Sequence, residues 1–162
     1  MNFSLGSALP RLLLACCLGT TGCICQPVEK PPAPKRVLFV CIENSNRSQM
    51  AEAFAHMHGG PRIEAYSCGS RPSGRINPRA IEFMREVGYD LTRHHSKSLA
   101  NLPVQEFDAV IGMGCGDEVC ARVTARRHEE WDITDPKNLP AKQYRAVRDQ
   151  IERKVKELLE SL

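Results

Sequence analysis

The sequence predicts an α/β fold, a Rossmann-like three-layer sandwich in which helices cover both faces of a parallel sheet. Three observations carry this. Val37-Leu38-Phe39-Val40 and the segment from Phe107 to Met113 are almost continuously apolar, as in strands buried on both faces. Helical patterns separate the strand candidates, and that order implies parallel crossovers of one hand. The residues that carry chemistry follow strands, and in such sheets ligands gather outside the carboxyl ends of the strands.

The chain of 162 residues allows one domain with a sizeable core. Its charged fraction of 25% and apolar fraction of 42% are ordinary for a globular protein, which excludes disorder for the bulk of the chain. A net charge of +3, with no basic stripe interleaved with aromatics, excludes nucleic acid as a partner. The N-terminal stretch differs from the rest. Arg11 precedes a short apolar run from Leu12 to Leu18, then Gly19-Thr20-Thr21-Gly22 and Cys23. That order resembles a bacterial export signal ending in a lipoprotein cleavage site. Residues 1–22 are therefore expected to be a signal peptide, with Cys23 as the lipidated residue. The apolar run is too short to span a bilayer. Such a leader implies an extracytoplasmic protein attached to a bacterial membrane by a lipid anchor, and without a functional leader the chain belongs in the cytoplasm. Residues 23–35 read as a Pro-rich tether, and the folded domain spans 36–162.

The first strand ends at Cys41, and the Ala- and Glu-containing run from Ser48 reads as a helix, broken by Gly59-Gly60-Pro61. Arg62 to Ser67 alternates like a strand, and a loop rich in Ser, Pro and Gly follows from Gly69 to Gly74. Pro78 suits the first position of a helix, whose apolar face is Ala80, Ile81, Met84 and Val87 and whose end is Gly88. Ser96 to Leu102 reads as a short helix, Phe107 to Met113 as a strand with a Gly-rich exit, and Glu130 to Ile133 as a short strand stopped by Asp135-Pro136. The last helix starts near Ala141 and aligns Val147, Ile151, Val155, Leu158 and Leu162 on one stripe.

The chemistry centres on Cys41-Ile42-Glu43-Asn44-Ser45-Asn46-Arg47-Ser48. A loop leading from a strand into a helix N-terminus aims backbone N–H groups and the positive end of the helix dipole at one spot, which suits an oxyanion. Cys41 stands at the bottom of that spot as a candidate nucleophile. Arg47 adds a planar fork able to hold two oxygens of a tetrahedral anion. Asn44 suits a left-handed backbone position. Glu43 brings an acidic side chain into this anion loop. Of eight cysteines, Cys16, Cys17, Cys23 and Cys25 lie in the leader and tether, and Cys41, Cys68, Cys115 and Cys120 lie in the domain. Cys115 and Cys120 have four residues between them, and no matching second pair follows to make a zinc site.

Taken together, the Cys41 to Ser48 segment, the late Asp135-Pro136 and the order of elements resemble the low-molecular-weight protein tyrosine phosphatase superfamily. Within it, Ser48 to Ala53, Met113-Gly114-Cys115-Gly116-Asp117 and Trp131 to Pro136 resemble the thioredoxin- or mycothiol-coupled arsenate reductase branch. The resemblance implies a four-stranded parallel sheet flanked by helices. It implies that Cys41 attacks arsenate or phosphate while Ile42, Glu43, Asn44, Ser45, Asn46 and Arg47 hold its oxygens, and that Ser48 hydrogen-bonds the thiolate. Asp135 takes the part of general acid, and Cys115 and then Cys120 form a redox relay. No bound cofactor is implied; the electrons come from reduced thioredoxin or a low-molecular-weight thiol. Lys137 and Asn138 stand where tyrosine phosphatases of this fold usually place aromatic residues. Two alternatives remain open, a phosphatase hydrolysing phosphomonoesters through a phosphocysteine and a non-catalytic oxyanion-binding lipoprotein.

Overall fold

The strand that ends in Cys41, β1 (Lys35–Cys41), lies inside a four-stranded parallel sheet of order β2-β1-β3-β4. The structure, a computed structural model, describes residues 32–114, 120 and 122–162. Cys23 with the rest of the expected leader, and Cys115 of the expected relay, lie outside the described residues. The sheet's other strands are β2 (Ile63–Gly69), β3 (Glu106–Gly112) and β4 (Thr124–Glu130). Val40 pairs with Cys68 on one side and Gly112 on the other, so the carboxyl ends of three strands finish level with Cys41.

Strand residues alternate between two apolar clusters because successive side chains point to opposite faces. Val37, Phe39 and Cys41 belong to one cluster, and Leu38 and Val40 to the other. The helices α1 (Arg47–Gly59), α2 (Pro78–Arg85) and α3 (Ala141–Glu160) all pack into the first cluster. Helix α1 is buried almost all round from Arg47 to Ala55, and α3 buries Val147, Ile151, Val155 and Leu158 as its stripe requires. Helix α2 begins at Pro78, with the Asn77 side chain accepting a hydrogen bond from the Arg79 N–H at 2.9 Å, a normal N-cap. The second face carries Cys68, Phe107 and Val110 and is covered, among the described residues, by Leu102, by Val123 and by Cys120, whose backbone is helical.

Two elements differ from expectation. The strand expected at Glu130–Ile133 is β4, Thr124–Glu130, and Trp131 and Ile133 lie beyond its end, buried. As an edge strand, β4 needs no apolar run, and its charged sequence Thr-Ala-Arg-Arg-His-Glu-Glu blunts the exposed edge. The apolar residues that suggested a strand serve instead to cover the rim. Trp131 donates its backbone N–H to the Gly112 carbonyl at 2.8 Å, and its ring packs on Phe39 with ring centroids 6.0 Å apart. The short helix expected from Ser96 to Leu102 is a single 3-10 turn, Leu99–Asn101, closed by a 2.7 Å hydrogen bond from the Ser98 hydroxyl to the Asn101 Oδ1.

Glu86, just past α2, ties that helix to α3. It accepts from Arg145 at 2.6 Å and from Arg148 at 2.8 Å. The Arg145 and Arg148 hydrogen bonds lower its pKa from the ordinary 4.5 to about 2. A carboxylate depressed in the folded state contributes stability that is present above its unfolded pKa and is lost as pH falls through the folded one. Stability is therefore expected to decline between the 4.5 of free Glu86 and about 2. Glu86→Gln should flatten this acid limb in urea titrations run at successive pH values.

Candidate active site

Between β1 and α1 the chain turns so tightly that its carbonyls face outward. The Cys41 carbonyl accepts from the Ser70 N–H at 3.1 Å, Ile42 from Arg71 at 2.8 Å, Glu43 from Ser73 at 3.0 Å and Ser45 from Asn77 at 3.1 Å. The Asn44 carbonyl accepts from the Gln49 amide at 3.3 Å. In a planar trans peptide the N–H points opposite to the preceding C=O. The N–H groups of Ile42, Glu43, Asn44, Ser45 and Asn46 therefore turn to the concave side, forming an anion-binding nest at the N-terminus of α1.

Asn44 makes this turn possible. It is the one non-glycine residue with positive φ among the described residues, at 48°. Its buried amide donates to the Ser48 hydroxyl at 2.9 Å and to the Ser67 hydroxyl at 2.8 Å, and its oxygen accepts from the Lys97 N–H at 2.8 Å and from Gln49 at 2.9 Å. These bonds assign directions. Ser48 accepts from Asn44 and keeps its own proton free to meet the Cys41 sulfur, 3.0 Å away, when that sulfur is a thiolate. Ser67 likewise accepts from Asn44 and donates to the Glu52 carboxylate.

Behind the turn, Glu52 also meets Lys97 at 3.4 Å and His94 at 3.8 Å. The Gln49 side-chain oxygen accepts from His94 Nδ1 at 2.9 Å, which leaves Nε2 to accept from the Tyr89 hydroxyl at 3.0 Å. Burial lowers the His94 pKa below its ordinary value, against the raising effect of Glu52. This buried polar layer was not anticipated from sequence. Its signal was present: Gln49 and Glu52 stand one turn apart beside the apolar residues Met50, Ala51, Ala53, Phe54 and Ala55.

On the open side, Arg47 is only 7% exposed. Its guanidinium donates to the Ile133 carbonyl at 3.1 Å and to Asp135 Oδ2 at 3.3 Å. A Cβ added at Gly114 would lie 3.0 Å from Arg47 Nη1, so the exit loop of β3 runs against the same group. The Cys41 loop, the β3 exit and the Asp135 segment thus meet at one rim. Asp135 is about half exposed and accepts from the Lys137 N–H at 3.0 Å. The Lys137 ammonium grips both Glu43 oxygens, at 2.7 and 3.0 Å, and this hydrogen-bonded partner lowers the Glu43 pKa. Asn46 accepts from the buried Tyr144 hydroxyl at 2.8 Å, and burial raises the Tyr144 pKa. Cys120 packs on the opposite face of the sheet from Cys41. Its sulfur lies 3.1 Å from where a Gly112 Cβ would stand, and it packs against the Leu38 and Val40 face. Among the described residues there is no metal-binding cluster.

A nest of N–H groups under a cysteine, with an arginine beside it and an aspartate across from it, is equipped to bind a tetrahedral oxyanion and to attack it. A profile of the low molecular weight phosphotyrosine protein phosphatase family matches residues 36–162. The chain belongs to this family. Among its relatives, a glutaredoxin arsenate reductase of Synechocystis sp. is 39% identical over 127 residues, covering 77% of this chain and 96% of the relative. Arsenate reductase 2 of Staphylococcus saprophyticus is 33% identical over 129 residues, covering 78% and 98%. A solved structure of an arsenate reductase in the phosphate binding state superposes with a TM-score of 0.72 at 38% identity, covering 78% of this chain and 98% of that one.

Gly69 is the close-packed support of the turn. A Cβ there would fall 2.6 Å from the Ile42 carbonyl oxygen and 3.0 Å from the Asn44 nitrogen, both backbone atoms. Gly69→Ala is expected to cost about 1–3 kcal/mol and to weaken phosphate binding with it. Urea denaturation and phosphate calorimetry measure the two effects, and unchanged binding would mean that the turn yields without consequence.

Proposed function

We propose that the chain is a thiol-dependent arsenate reductase. The observation that carries this is the Cys41 sulfur held by the Ser48 hydroxyl at 3.0 Å, inside a turn whose carbonyls are all engaged on its outer side. The similarity to arsenate reductases over nearly the whole folded domain supports the choice of oxyanion. Cys41 thiolate attacks arsenic, and Asp135 gives the departing oxygen its proton so that water leaves. The nest and Arg47 hold the three remaining oxygens. Cys115 thiolate then attacks the Cys41 sulfur. The sulfur–arsenic bonding pair stays with arsenic, arsenate becomes arsenite, and a Cys41–Cys115 disulfide forms.

Cys120 next attacks Cys115, which frees Cys41 and leaves a Cys115–Cys120 disulfide. An external thiol, thioredoxin, glutaredoxin or a low-molecular-weight thiol, returns two electrons to it. The position of Cys120 against the second sheet face, with Cys41 on the first, supports an order in which Cys120 acts after Cys115. The phosphatase chemistry of the same site has its own support. Asp135 beside Arg47, 3.3 Å apart, is equally suited to protonate an ester oxygen, after which water would hydrolyse a phosphocysteine.

Single-turnover arsenite release by pre-reduced protein, beside p-nitrophenyl phosphate hydrolysis, separates the two. Cys41→Ser should abolish both activities. Cys115→Ser should lose arsenite release, Cys120→Ser should lose multiple turnover, and both should retain whatever ester hydrolysis the wild type has. Brisk hydrolysis with no arsenite from the wild type would reject the reductase. Separately, Asp135→Asn should slow ester hydrolysis by about 10²–10⁴-fold, with the smallest loss for the best leaving groups, as a plot of rate against leaving-group pKa would reveal.

A further inference from the structure

Beside the anion turn lies a cleft of about 590 Å³ lined by Glu43, Ser45, Ser73, Arg75 and Lys137 among others. One wall comes from the turn and the loop before α2. Lys137 comes from the Asp135 segment, and its ammonium reaches across to Glu43 with contacts of 2.7 and 3.0 Å. The Ser45 hydroxyl donates to the same carboxylate at 3.2 Å. The turn and the Asp135 segment are therefore bridged by a bidentate ion pair at the edge of the oxyanion site.

Displacement at a tetrahedral centre is in line, so the departing oxygen lies opposite Cys41. It must also lie within reach of Asp135, and whatever that oxygen carries leaves the site past Asp135. Lys137 is two residues further on, and its backbone N–H holds the Asp135 carboxylate at 3.0 Å. A bare oxyanion has nothing to place there. An aryl ester would have to set an apolar ring among Glu43, Arg75 and Lys137, stripping water from charges without replacing it. We propose that the Glu43–Lys137 ion pair is a specificity strap that favours bare tetrahedral oxyanions over phosphomonoesters at the Cys41 site. The proposal deepens the reductase reading and rests on it for the natural substrate. It also accounts for an acidic residue in an anion loop, because Lys137 neutralises Glu43 where it stands.

The test is a comparison of binding in the full chain carrying Cys41→Ser, which turns neither ligand over. Calorimetry gives Kd for inorganic phosphate and for phenyl phosphate. Lys137→Ala alone would leave Glu43 uncompensated and repel both anions, so the informative variant is Glu43→Ala with Lys137→Ala. The ratio of the phenyl phosphate Kd to the phosphate Kd should fall by about threefold or more in the double variant. Lys137→Arg, which keeps the ion pair, should hold the ratio at its starting value. A ratio that moves by less than about threefold in the double variant, or that falls as far in Lys137→Arg, overturns the strap. Such a result leaves arsenite release untouched. Failure of arsenite release would overturn the reductase while the ratio still reports on the strap.

Discussion

Asn44 holds a backbone conformation that few side chains accept, and its amide is shared among Ser48, Ser67, Gln49 and Lys97. Both facts act on the same object, the direction in which the neighbouring peptide groups face. The left-handed residue reverses the chain inside a few residues, and the amide fixes the reversal to β2 and to the segment before the 3-10 turn. Without that anchoring the carbonyls of Cys41 to Ser45 would compete with the N–H groups for the concave side, and an anion would meet oxygen. The attack geometry, the Arg47 fork and the Ser48 proton all presuppose this orientation.

The polar layer behind the turn stays buried because it closes on itself. The Glu52 carboxylate has only acceptors to offer and the Lys97 ammonium only donors, and beside them the Asn44 amide donates both to Ser48 and to Ser67, which donates onward to Glu52. A buried carboxylate left alone would be costly, whereas one met by an ammonium and a hydroxyl is retained at modest cost and holds its neighbours in one arrangement. The rigidity of the turn therefore originates partly in Glu52, a turn and more into α1, and in the loop that carries Lys97, both of which lie behind the anion site.

The parallel sheet was legible because Val37 to Val40 and, apart from Asp108, Phe107 to Met113 are apolar without alternation, and α3 because five residues recur on one stripe. The anion turn was legible because its residue types and their spacing are local. β4 was not, since an edge strand is shaped by what it must avoid, and Trp131 and Ile133 advertised burial at the rim as if it were pairing. The contacts between Glu43 and Lys137, and between Asn44 and Lys97, span 94 and 53 residues. No periodicity encodes such pairs. They follow from topology, which brings the carboxyl ends of the strands to one edge after the chain has folded.

The central strand also has an electrical meaning. Cys41 belongs to one face of the sheet and Cys120 packs on the other. In the proposed relay, thiol exchange between them would run around the end of the strand rather than through the hydrogen-bonded backbone. On that reading an oxyanion over Cys41 and a donor thiol meeting the relay would approach from different sides of the sheet, the arrangement a two-site ping-pong cycle requires.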